Sequence, residues 1–279
     1  MENETTPHEL IEGKEISDER LAEIKKICQS VGRMGKGDLP QNDFLDTVTD
    51  EELINAYLNH SFQYEFSEDV GALRILMMRS EAGKKFVYKL AKDSDSSAII
   101  TLRYTDDEEA AKILSDIVSD IRHKTESGES RTYFLYAISA IRSLVNKNYG
   151  FVGDELIKDT YAERLEVRGV AFYALRGKPG DQVTRRLIEG VALDRDGWSQ
   201  LSAVLALKDR EGDDVTQALI NVAKTKKNNR GNELRLCALW ALKGRQGQEV
   251  EEVLSQASPE ELIEADKMAE KKIHTRELD

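Results

Sequence analysis

The chain has 279 residues, a formal net charge of −12 and 33% charged residues. This length is enough for one elongated unit or two compact domains with a sizeable core. The acidic excess lies mainly in residues 1–130, so phosphate repulsion opposes indiscriminate nucleic-acid binding by that half. No apolar run approaches the roughly eighteen residues of a membrane span, and the N-terminus lacks the apolar stretch of a secretory signal.

Cysteine and histidine usage indicates neither a disulfide framework nor a metal site. Cys28 and Cys237 lie on apolar faces of predicted helices without a nearby partner, so we expect reduced thiols in a cytoplasmic protein. The four histidines have no ligand spacing, and neither a Cys-x-x-Cys nor an H-E-x-x-H motif occurs. We therefore expect no metal and no cofactor.

The N-terminal region is predicted to be a short tail followed by helices. Residues 1–15 form the predicted tail, and an apolar stripe after Ser17, its expected N-cap, predicts the first helix. Thr49 and Glu52 have the spacing of a capping box at the start of a second helix. Residues 16–65 are thus predicted to form a helical cap that shields the first repeat.

Two readings remain open for residues 84–105. The segment is rich in β-branched and aromatic residues around a polar turn, which is typical of a β-hairpin. Its ungapped alignment with the repeats described next favours helices instead. The acidic run at positions 106–109 is interpreted as favourable charge at a helix N-terminus rather than a metal site.

A repeating unit of helix, glycine turn and helix is clearest in residues 166–257. In its first copy Gly180 closes the turn, and Asp181 is expected to cap the second helix. The dipeptide at Ala174 recurs 32 residues later at Ala206 and a further 35 residues on at Ala241. Weaker copies extend the pattern upstream, so residues 66–257 are predicted to stack five or six helix pairs.

The remaining residues, 258–279, are predicted to form a C-terminal capping helix and tail. Ser258 and Glu261 repeat the capping-box spacing. A narrow apolar stripe follows, which is typical of a helix that caps the stack, although docking on a partner is the alternative. The fold class is therefore expected to be an all-α superhelix, or solenoid, with helical caps.

The amino-acid pattern of these repeats resembles HEAT-like repeats of the short form known from phycobilisome lyases. The resemblance is good over residues 166–257 and loose before them. It implies a ladder between an arginine near the start of each first helix and an aspartate in the turn. Here those positions hold Arg168, Gln200 and Arg235, with Asp181, Asp213 and Gln248 in the turns.

The candidate partner-binding residues are basic or aromatic positions in the repeats. The inter-repeat loop at 224–232 is rich in basic residues and could bind an acidic peptide or a phosphate backbone. Trp198 follows a charged stretch and is expected to be partly exposed, whereas Trp240 is expected to be core. The full set is Arg185, Arg186, Trp198, Lys226, Lys227 and Arg230.

These observations favour a non-catalytic scaffold or adaptor that binds a protein partner along the solenoid. The first alternative is a nucleic-acid-binding or DNA-glycosylase-like protein, which would use Trp198, Asp196 and the arginine pair. A lyase-like ligand binder is the second, and self-association through the terminal helices is the third. No catalytic residue is assigned, and no membrane contact is expected.

Overall fold

In a computed structural model, the described residues are 16–33, 47–59, 66–126, 131–194, 196–225 and 231–278, and all their regular structure is helical. The helices run α1 (Asp18–Gly32), α2 (Asp50–Asn59), α3 (Phe66–Arg79), α4 (Glu81–Lys92), α5 (Ser96–Thr101), α6 (Glu108–Glu126), α7 (Arg131–Leu144), α8 (Gly150–Asp159), α9 (Leu165–Ala174), α10 (Asp181–Leu193), α11 (Gly197–Leu207), α12 (Asp213–Ala223), α13 (Gly231–Leu242), α14 (Gln248–Ser255) and α15 (Pro259–Leu278). A short 3₁₀ helix, Leu102–Tyr104, follows α5.

The helix starts predicted at Ser17, Thr49 and Ser258 are confirmed. The Arg20 N–H donates to Ser17 Oγ at 3.3 Å at the start of α1. Reciprocal capping-box bonds join Thr49 to Glu52 at 2.8 and 3.1 Å, and Ser258 to Glu261 at 3.1 and 3.2 Å. Each bond satisfies a backbone donor that the helix itself cannot pair.

The chain divides into two compact units, Met1–Ile117 and Val118–Asp279. The domain boundaries taken from the sequence remain predictions. In the first unit α3 packs against α1, α2, α4 and α5. Gly71 permits the close approach of α3 to α1, because a Cβ there would lie 1.7 Å from the carbonyl oxygen of Cys28.

The second unit consists of two layers of helices. The first helices of successive pairs (α7, α9, α11 and α13) contact one another in order, and α15 follows α13. The second helices (α8, α10, α12 and α14) form the other layer. Six helix pairs follow one another in the described part of the chain, α3/α4 to α13/α14, so the expected all-α solenoid is confirmed.

The segment left open between a hairpin and helices is helical, because α4, α5 and the 3₁₀ helix occupy it. Its apolar residues form a core face rather than strands: Phe86, Val87, Ala98, Ile99 and Leu102 are all buried. Side-chain burial against neighbouring helices outweighs the strand propensity of such residues. Cys28 and Cys237 are both buried, in agreement with the core positions expected for them.

Two details of the predicted turns are wrong. Asp181 is the first residue of α10 rather than its cap, and the N-cap is Gly180. The implied ladder also takes another form, because Arg168 pairs with Asp194 at 2.8 Å and not with the turn aspartate. Arg235 likewise pairs with Glu261 at 2.8 Å. In both pairs the acid lies at the start of the next helix in the same layer, since Asp194 precedes α11 and Glu261 is in the first turn of α15.

Candidate functional site

A row of buried or half-buried cations fixes the first helices of the second unit in register. Lys178, in the turn after α9, donates from Nζ to the carbonyl oxygens of Leu144, Val145 and Lys147 at 2.9, 2.6 and 2.8 Å. Leu144 is the last residue of α7, and Val145 and Lys147 lie in the turn that follows, where the carbonyl oxygens no longer have their full set of helical donors. A lysine ammonium has three donors, so one side chain satisfies all three.

The same contact recurs in the next two repeats. Arg210 donates to the carbonyl oxygens of Leu175, at 3.3 Å, and of Lys178. Arg245 donates to those of Leu207 and Arg210 at 3.0 and 2.6 Å. We call Lys178, Arg210 and Arg245 the carbonyl ladder. It joins the C-terminal ends of α7, α9 and α11 to the turn of the following pair, so these helices lie parallel.

The sequence contains a signal for this ladder that the comparison of apolar and glycine positions between repeats did not use. The three turns read ALRGKPG, ALKDREG and ALKGRQG, with a cation at the fifth position each time. The glycine that ends each motif has a φ of 108°, 125° or 126°, which side chains rarely adopt. Burial, and secondly the nearby Lys147 ammonium, lower the pKa of Lys178 to about 7.

The opposite ends of the same helices form the side on which two of the six candidate residues, Arg186 and Trp198, lie. Arg168, near the start of α9, pairs with Asp194 just before α11. Gln200, near the start of α11, donates to the carbonyl oxygen of Val191 in α10 at 3.0 Å. The N-terminal ends of first helices therefore meet the C-terminal ends of second helices here, which defines the side carrying the inter-repeat loops.

Large apolar side chains stay exposed on this side. Tyr161 is 63% exposed in the loop after α8, Leu165 is 47% exposed at the start of α9, and Leu135 is 59% exposed near the start of α7. We call the surface of Leu135, Tyr161, Leu165 and Trp198 the inter-repeat edge. Exposed aromatic and aliphatic side chains on neighbouring elements are typical of protein-binding surfaces.

Arg186 holds Tyr161 of this edge in place. Its guanidinium lies 3.9 Å from the centroid of the Tyr161 ring and 4.9 Å from that of Phe172. It also donates to Thr160 Oγ1 at 2.7 Å and to the Thr160 carbonyl oxygen at 2.9 Å. The predicted contact residue Arg186 is thus engaged within the chain, and it presents Tyr161 to the surface. A stacked guanidinium of this kind restricts the ring.

Trp198 is half-buried on the same side, in agreement with the partial exposure expected for it. Its ring lies against Gly169 of α9, where a Cβ would come within 2.6 Å of Trp198 Cε3. Asp196, which the glycosylase alternative requires, caps α11 by accepting from the backbone N–H and the hydroxyl of Ser199, both at 2.9 Å. Oδ2 of Asp196 is therefore engaged in capping α11.

The remaining four candidate residues take no part in the contacts described above. Arg185 is exposed on α10, and Lys226, Lys227 and Arg230 lie outside the described residues. Trp240 is only half-buried rather than fully core, with Lys208 Nζ 5.2 Å from the centroid of its ring. Whether the six predicted residues bind a partner stays a prediction.

Within the described residues, no cluster of three or more histidine, cysteine, aspartate or glutamate side chains could hold a metal ion. The acidic run after α5 supplies a helix cap, because Asp107 Oδ1 accepts from the Ala110 N–H at 2.7 Å. Burial would raise the pKa of Asp107, but hydrogen bonds from Thr105, Tyr88 and Ala110 lower it to about 2. No helix in the described ranges is long and apolar enough to cross a membrane.

No family matches the sequence, and no curated protein matches it. Among solved structures, it is 19% identical to "Designed armadillo repeat protein YIII(Dq.V1)4CPAF in complex with peptide (KR)4", covering 77% of this chain and 98% of that one, with a TM-score of 0.22. It is 20% identical to "Designed armadillo repeat protein YIII(Dq)4CqI", with coverages of 72% and 94% and a TM-score of 0.22. Likeness at this level carries no information about ligands.

Proposed function

We propose that the protein is a non-catalytic scaffold that binds a partner protein through the inter-repeat edge of its second unit. The observation that carries this proposal is the pair of exposed residues Tyr161 and Leu165, one of them stacked on Arg186. Protein interfaces concentrate their binding energy in a few well-ordered aromatic and apolar side chains. Pre-ordering by Arg186 reduces the entropy that the ring loses on binding.

The rigid register of the repeats supports the same proposal. Because the carbonyl ladder ties each turn to the helix before it, the edge residues of α7, α9 and α11 hold fixed spacings. A fixed row of contact points suits an extended polypeptide segment. We also propose a cytoplasmic location, because the two cysteines of the chain offer no disulfide framework. We further propose that the repeats are HEAT-like, because of the amino-acid pattern of their turns.

The test is a pull-down with variants of the full chain. The tagged protein is incubated with its native lysate, with and without nuclease, and captured proteins are quantified by mass spectrometry. Tyr161→Ser with Leu165→Ser should reduce capture of the partner at least about tenfold, since loss of a hot-spot side chain costs about 2 kcal/mol or more. The matched control is Ile263→Ser, which removes an apolar side chain that is 55% exposed on α15.

The captured partner is then purified and its affinity measured directly for the three proteins. Equal affinity of the double variant and the wild type would overturn the proposed edge. Capture that disappears with nuclease would favour the nucleic-acid alternative instead. The double variant should keep its helical circular dichroism, because both side chains are largely exposed and their removal leaves no cavity.

A further inference from the structure

The described residues contain one strongly buried carboxylate with an unsatisfied oxygen, directly behind the inter-repeat edge. Asp159 ends α8, two residues before Tyr161, and only 2% of it is exposed. Its Oδ1 accepts from Arg122 Nε of α6 at 2.8 Å. Its Oδ2 is buried and has no hydrogen-bond partner. A buried polar atom left without a partner is rare, and its cost falls mainly on the charged form.

The charged groups around Asp159 form a small, unevenly paired cluster. Arg122 also reaches Glu155 Oε2, at 3.4 Å, so two carboxylates share one guanidinium. Lys158, on the same helix, pairs with Glu155 at 2.5 Å. From α10, Arg186 contacts the neighbouring Thr160 rather than Asp159. Arg122 thus has a second anionic partner available if Asp159 loses its charge.

We propose that Asp159, Arg122 and Glu155 form a proton-operated contact between α6 and α8. When Asp159 takes up a proton, Arg122 exchanges its ion pair with Asp159 for a closer one with Glu155. The proton binds a carboxylate oxygen of Asp159, and no covalent bond other than that O–H bond changes. The cluster gains one positive charge at the end of the helix that leads into the inter-repeat edge.

The energetics of the site agree with this geometry. Burial raises the pKa of Asp159 to about 6 from its ordinary 3.8, against the opposing effect of Arg122, and the Glu155 charge adds to the rise. Between about pH 4 and pH 6 the folded protein therefore binds a proton that the unfolded chain does not. This contribution to stability is full below about pH 4 and is lost as the pH rises through 6.

The experiment follows the carboxyl carbon of Asp159 by NMR in the full chain labelled at aspartate. The wild-type resonance should titrate near pH 6, and it is assigned by its absence in Asp159→Asn. The Arg122 Nε–H resonance, assigned with Arg122→Lys, should shift with the same midpoint. A midpoint at or below pH 4, or an Arg122 resonance that does not follow the titration, would overturn the proposal.

Two further variants move the midpoint in opposite directions. Glu155→Gln removes a neighbouring negative charge and should shift the Asp159 midpoint to lower pH. Arg122→Gln removes the stabilising cation and should shift it to higher pH. If Arg122→Gln does not fold, Glu155→Gln alone decides, since Glu155 lies near the surface and its loss leaves Arg122 paired with Asp159. An unchanged midpoint in Glu155→Gln contradicts the shared-guanidinium arrangement.

Discussion

At the residue scale, the most consequential side chains of the second unit are cations that point inward. Lys178 is 1% exposed and Arg210 is half-buried, and each satisfies the carbonyl oxygens that end a neighbouring helix. Residue type alone predicts that such side chains lie at the surface, because lysine and arginine are seldom buried. Their burial is sustained by backbone acceptors that the folded chain brings to them.

The charge of Lys178 gives a pH-dependent prediction. Its pKa is lowered to about 7 from an ordinary value of 10.5, so between those values the folded state binds fewer protons than the unfolded chain. The stability of the wild type relative to Lys178→Met should therefore rise with pH from about 7 to 9, by at most about 1.4 kcal/mol per pH unit. Urea unfolding at pH 6.5, 8 and 9 measures this difference.

The control for that series is Lys158→Met, which removes an exposed lysine of α8. Its stability difference from the wild type should stay nearly constant across the same pH range. A constant difference for Lys178→Met as well would mean that the three carbonyl acceptors keep the ammonium fully charged up to pH 9.

At the scale of the elements, the glycine that closes each turn decides where the second helix starts. Gly180 caps α10 with φ 108° and ψ 145°, and no side chain closes that cap. Glycines at 212 and 247 repeat the geometry at the starts of α12 and α14. A residue with a Cβ is strained in this region, so the turn is specified by backbone conformation rather than by an aspartate cap.

Gly180→Ala is expected to destabilise the protein by about 1–3 kcal/mol, although a Cβ there would meet no atom within 4 Å. The cost arises from the positive φ alone. Gly150→Ala, at the start of α8, also has open space around it but no positive φ, and should change stability by less than about 1 kcal/mol. Thermal unfolding of both variants separates the two cases, and equal effects would contradict a conformational origin.

Capping was predictable because it is local. The boxes at Thr49 and Ser258 need only the right residue three positions away, and both form as expected. The helices at residues 84–105 were harder to predict, since β-branched and aromatic residues there also suit strands. Helix–helix burial decided that case, and it depends on residues distant in sequence.

At the scale of the whole molecule, the carbonyl ladder couples neighbouring repeats within the second unit. Arg210 contacts Leu175 and Lys178 of the preceding repeat and the Thr184 hydroxyl at 2.6 Å. Arg210→Met should cost about 2–4 kcal/mol, because the carbonyl oxygens of Leu175 and Lys178 lose a charged donor and each such hydrogen bond is worth about 1.5–3 kcal/mol. Native-state hydrogen exchange should show protection lost in α9 and α11 together.

The conservative variant Arg210→Lys keeps a donor and should retain about half of that stability. Arg185→Met is the matched control, since Arg185 is an exposed arginine of the same unit, and its effect should stay within about 0.5 kcal/mol. Loss of protection confined to α11 would contradict coupling between the repeats.

Sequence alone determined the helical class and the capped helix starts, because each depends on residues within one or two helical turns. It also determined the repeat period, because the same short pattern recurs along the chain at nearly constant offsets. It also brought attention to Arg186 and Trp198, but not to their roles. Only the tertiary structure revealed that Arg186 supports Tyr161, that Arg168 pairs with Asp194, and that Asp159 is buried with one oxygen unsatisfied. Such contacts join residues about 25 to 37 positions apart, and their energies depend on burial, which forms only when the helix pairs stack.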